Sequence, residues 1–77
     1  MYASGRVLRK LIAEYDTSQA ALARATGIKK QNISLICNGK TQYPSIHTCK
    51  RIAGFFGLTL DEFWALIEAE ESHAPQD

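Results

Sequence analysis

The residues Gln19-Ala20-Ala21-Leu22-Ala23-Arg24-Ala25-Thr26-Gly27-Ile28-Lys29-Lys30-Gln31-Asn32-Ile33-Ser34-Leu35-Ile36-Cys37-Asn38 read as two short helices around a glycine turn. Ser18 precedes them as an N-cap, since its hydroxyl can accept a free amide of the next turn. Gln19 to Ala25 is rich in alanine, the best helix former. Its small side chains would let another helix approach closely. Gly27 follows Thr26 where a sharp turn needs positive φ. Ile28 is an apolar plug, and Lys29 or Lys30 to Cys37 forms a second helix with Ile33, Ile36 and Cys37 on one side.

A hairpin competes for part of this stretch. Ile33 to Cys37 is rich in β-branched residues, and Asn38-Gly39 is a hairpin signal. The following Lys40-Thr41-Gln42-Tyr43-Pro44 is polar and does not alternate. That favours a helix stopped at Gly39.

Working outward, the apolar spacing stays helical. Leu8, Leu11, Ile12 and Tyr15 predict an amphipathic helix over residues 5–15. After Pro44-Ser45, the residues Ile46, Cys49, Ile52, Ala53 and Phe56 trace one stripe, which Gly57 closes. Thr59-Leu60-Asp61-Glu62 is a capping box, and its two acids suit the positive end of a helix dipole. Leu60, Phe63, Trp64 and Ile67 line the apolar side beyond it. The expectation is an all-α, five-helix domain over residues 1–69. An acidic, flexible tail is expected over 70–77, fraying from Ser72 onward.

The whole chain is 77 residues with a formal charge of +1, which argues superficially against a polyanion. The distribution argues for one. Residues 1–51 carry all nine Lys and Arg against Glu14 and Asp16, a local charge of +7. Residues 52–77 carry six acidic residues and no Lys or Arg, a local charge of −6. Such asymmetry suggests nucleic acid as the partner of the first part.

Other classes fall away. The run Ile52 to Leu60 is broken by Gly54 and Gly57 and is too short to span a membrane. Met1 to Asp16 lacks the apolar stretch of a secretory signal. Cys37 and Cys49 fall on apolar helical positions and form no CxxC pair, so they read as buried free thiols in a reducing cytoplasm. His47 and His73 lie far apart and read as exposed polar residues, not metal ligands. No nucleophile with a base, carboxylate pair or phosphate loop is visible. The expectation is a non-enzyme without cofactor or small-molecule ligand.

The central stretch has the spacing of a helix-turn-helix, whose two helices cross near ~90–120°. From Leu8 to Leu66 the chain resembles the helix-turn-helix domains of Cro and phage-repressor type found in bacteria and phages. The resemblance rests on Ser18-Gln19, Leu22-Ala23, Gly27, Ile33-Ser34, Asn38-Gly39-Lys40, Pro44, Ile52-Ala53, Phe56-Gly57 and Leu58 to Phe63. It implies a lambda-repressor-like DNA-binding domain whose third helix enters the major groove, usually as a dimer on an operator. Such a protein would work in the bacterial cytoplasm, at the nucleoid.

With Ile33 facing the core at about 100° per residue, Gln31 and Leu35 point away from it and Ser34 stands beside them. Lys30 sits at the helix start. These four form the exposed strip, and the resemblance places base reading on the same positions. Gln can bond adenine, Lys can bond guanine, and Leu can pack on a thymine methyl. The same four could also be a solvated face. The resemblance further implies phosphate contacts at Gln19, Asn38 and Lys40, with Lys29, Asn32 and Tyr43 as weaker candidates. Arg6, Arg9, Lys10, Arg24, Lys50 and Arg51 add positive field. The fifth helix would supply dimer contacts through Leu60, Trp64 and Ile67, a patch that could instead bind a protein partner as in antitoxins of the family.

Two departures stand out. Such domains often pair an Arg, seven residues before the Gln, with a Glu in the recognition helix. Here those positions are Ile12 and Cys37, so an apolar contact is expected in place of the ion pair. The usual hydroxyl cap of the recognition helix is replaced by Lys29. That forfeits roughly 1 kcal/mol of capping unless a DNA phosphate lies nearby.

Overall fold

The computed structural model describes residues 2–73. It contains α1 (Ala3–Glu14), α2 (Gln19–Thr26), α3 (Lys30–Cys37), α4 (Ile46–Phe55) and α5 (Leu60–His73). The Ile33 to Cys37 segment is helical, and Gly39 takes φ 71° just past its end.

The local signals act as their chemistry requires. Ser18 Oγ accepts the Ala21 amide at 3.1 Å and Ser45 Oγ accepts that of Thr48 at 3.2 Å. The capping box closes in both directions: the Thr59 amide donates to Glu62 Oε1 at 2.9 Å, and the Glu62 amide donates to Thr59 Oγ1 at 3.0 Å. Gly27 adopts φ 76° between α2 and α3, a backbone region costly for any residue with a Cβ.

α1 packs on α3 and α5, α2 on α3 and α4, and α4 on α5. Leu8, Leu22, Ile33, Ile52, Phe63 and Ile67 are fully buried where these faces meet. Each such side chain contributes about 1.5–3 kcal/mol by leaving water. α1 comes unusually close to the end of α3. A Cβ at Gly5 would stand 2.5 Å from the Ile36 carbonyl oxygen. Beside it, the buried Ser4 hydroxyl donates to the Thr41 carbonyl at 2.9 Å. α1 thus fixes both the end of α3 and the loop that follows.

The structure changes three expectations. α1 begins at Ala3, two residues before the periodicity suggested, because glycine and serine allow this close approach. Ile46 does not complete the α4 stripe. It is 64% exposed while Cys49, Ile52, Ala53 and Phe56 are buried, since it starts the helix at the margin of α5. α5 continues through residues 70–73, where a tail was expected. Glu70 holds it down: its carboxylate meets Arg6 Nε at 3.1 Å and Lys10 Nζ at 2.8 Å. Residues 74–77 of the expected tail lie outside the described residues.

Candidate nucleic-acid interface

α3 is amphipathic in a way that sets its two faces apart. Ile33, Ile36 and Cys37 are 0–3% exposed and face α1 and α2. Lys30, Gln31, Asn32 and Leu35 are exposed on the other side, and Ser34 is half-buried between. Leu35 is 42% exposed, leaving an apolar side chain within this polar strip.

Lys29 occupies the N-cap of α3 with no side-chain hydrogen bond. The free amides at this end and the charges of Lys29 and Lys30 all present positive potential on one side. Gln19 starts α2 beside the middle of α3, and its Oε1 accepts a 2.8 Å hydrogen bond from Ser34 Oγ. The Gln19 carboxamide is thereby held with its amino group left to donate elsewhere.

Beyond α3, Asn38 and Lys40 are exposed. A cleft runs between α3 and the start of α4, lined by Asn32, Leu35, Thr41, Pro44, Ser45 and Thr48. The hydroxyls of Thr41, Ser45 and Thr48 were not expected at this surface. No helical periodicity links them to α3; only the folded loop brings them there.

Two sequence-based expectations are corrected. Tyr43 is not turned toward the α3 surface. Its ring stacks on Trp64 at 5.9 Å between centroids, and its hydroxyl donates to Glu71 Oε2 at 3.4 Å. A phosphate would meet the Glu71 carboxylate there and be repelled. Ile67 is 1% exposed and belongs to the domain's own core, so it is not available for a dimer surface. Leu60 and Trp64 remain partly accessible beside it.

At the site of the missing ion pair the structure adds a contact that the sequence did not announce. Ile12 packs against the core and Cys37 is fully buried, as apolar residues should be. The polar link between α1 and α3 has not vanished, however. Arg9 supplies it, with Nε donating to the Cys37 carbonyl at 2.7 Å and Nη2 to Asn38 Oδ1 at 3.4 Å. Arg6 and Lys10, by contrast, are turned to Glu70 on α5.

Both cysteines are free and buried. Burial pushes the Cys37 thiol up, partly offset by the charge of Arg9, and burial alone pushes Cys49 up. Neither is a reactive thiolate at neutral pH. His47 is exposed, and the His73 side chain lies outside the described residues. Among the described residues no cluster of His, Cys, Asp and Glu could hold a metal ion. None of their helices is long and apolar enough to cross a membrane.

No curated protein and no solved structure gave a match to this chain. A family model described as Helix-turn-helix matches residues 8–63, which spans α2 and α3, all of α4 and the first turn of α5. That family is one of DNA-binding rather than catalytic domains. Its two-helix unit coincides with the capped α2, the Gly27 turn and the two-faced α3. The chain therefore belongs to the helix-turn-helix family of Cro and phage-repressor type, and its partner is DNA.

Proposed function

We propose that the protein is a sequence-specific transcriptional repressor that binds a palindromic operator as a dimer, with α3 in the major groove. The observation that carries this reading is the exposed strip of α3, set opposite a fully buried face. Lys30 would donate to guanine, Gln31 would take adenine bidentately, and Leu35 would cover a thymine methyl. Ser34, with its proton given to Gln19, would act by orienting that carboxamide toward a phosphate. Gln19, Lys29, Asn32, Asn38 and Lys40 would hold the backbone. A bound operator blocks the transcription machinery sterically, so repression is the proposed output.

The dimer would form through the outer side of α5. Leu60 and Trp64 line a shallow groove of about 470 Å³ together with Ile46, Asp61 and Glu68. A second copy would cover the exposed Ile46 and the accessible edge of Trp64. Docking of a different protein on this groove, as in an antitoxin, is the alternative.

The test is selection of bound duplexes from a random pool. The proposal expects two inverted half-sites with centres about one helical turn apart. Recovery of sequences with no shared motif would contradict it. A groove that takes up a foreign protein while the chain stays monomeric on DNA would favour the alternative.

A further inference from the structure

We infer that Arg9 of α1 is both the positioning residue for the C-terminal end of α3 and a phosphate contact of the interface, resting on the DNA-binding reading above. Helix ends leave their last carbonyls without partners. At α3 the Cys37 carbonyl is met by Arg9 Nε at 2.7 Å, a short, charge-assisted hydrogen bond. The guanidinium charge also lies at the negative end of the α3 dipole, where a cation is stabilising. Nη2 reaches on to Asn38 Oδ1. With its carbonyl oxygen so engaged, the Asn38 carboxamide points its amino group away from Arg9.

The remaining donors of the guanidinium fork are not consumed by these contacts. Arg9 is exposed and stands beside Asn38, two residues before the exposed Lys40. A phosphate reaching Asn38 and Lys40 would therefore also meet Arg9. Of the three basic residues on α1, Arg6 and Lys10 are committed to Glu70 on the α5 side. Arg9 is the one directed at α3. It gives α1, which carries no base-reading residue, a direct hold on the recognition helix.

Two variants test this on duplexes of about 20 base pairs, one recovered by selection and one scrambled. Both variants are first checked for native helicity by circular dichroism. Arg9→Gln should lower the slope of log affinity against log salt by about 1. It should weaken both duplexes by the same factor, on the order of tenfold at low salt. Arg9→Lys keeps the charge but not the fork. It should retain the wild-type slope while losing affinity. An unchanged slope in folded Arg9→Gln, or a slope lost equally in Arg9→Lys, would overturn the inference. Absence of salt-dependent binding in the wild type would instead overturn the DNA-binding reading itself.

Discussion

Ser34 and Gln19, fifteen positions apart, are joined by a 2.8 Å hydrogen bond that ties the middle of α3 to the first residue of α2. The bond orients a carboxamide expected at a phosphate and uses the only proton of a hydroxyl expected at a base. The two residues should behave as a unit. Ser34→Ala and Gln19→Ala should each weaken binding to all duplexes, and the double variant should be no worse than Gln19→Ala. A coupling of about 0.5–1.5 kcal/mol in the double-mutant cycle is expected. Strict additivity, with Ser34→Ala acting at one base position only, would show that Ser34 reads a base on its own.

Lys29 fills an N-cap position without capping it. Lys29→Ser should raise the stability of the free domain by about 1 kcal/mol, measured by denaturant midpoint. The same substitution should weaken DNA binding and reduce its salt slope. A stabilised variant that binds DNA with an unaltered slope would mean that Lys29 touches no phosphate.

Glu70 fixes α5 to α1. The hydrogen bond from Lys10, then that from Arg6, holds its carboxyl below the ordinary value of 4.5. A carboxylate depressed in the folded state contributes stability above its unfolded pKa and loses it as pH falls through the folded pKa. Glu70→Gln should therefore be less stable than wild type at pH 7. The difference should narrow as pH drops below about 4.5 and vanish in stronger acid. Parallel stability curves for the two proteins across that range would count against the ion pairs.

Ile46 is 64% exposed at the rim of the α4–α5 groove and serves no core role. Ile46→Glu would add a charge beside Asp61 and Glu68. It should leave thermal stability of the monomer unchanged and shift the sedimentation profile from dimer to monomer. An unaltered dimer would place the contact elsewhere.

Local signals carried most of the fold. The Ser18, Ser45 and Thr59 caps and the Gly27 turn act within a few residues, so their outcome is written in adjacent sequence. The two faces of α3 follow from helical periodicity alone. What periodicity reports is a face, not what covers it. The resemblance offers Ile67 as a dimer contact, yet Phe63 and Ile67 fill the domain's own core. Ile46 shares the stripe of Cys49 and Ile52, yet it lies at the rim of the α5 groove and stays exposed. The long-range polar contacts left no local trace. Arg9 to Cys37 spans 28 positions and Arg6 to Glu70 spans 64. Composition marks residues 70–77 as an acidic tail. Folding returns Glu70 to the basic α1 and Glu71 to Tyr43.

If the exposed strip of α3 reads bases, Gln31 is the residue whose loss shows it. Binding of wild type and Gln31→Ala should be measured across every single-base variant of a selected operator at one fixed salt concentration. The expected loss is about 1–3 kcal/mol, confined to one base pair of each half-site, where the variant no longer discriminates. A uniform loss over all variants, with discrimination intact at every position, would contradict it.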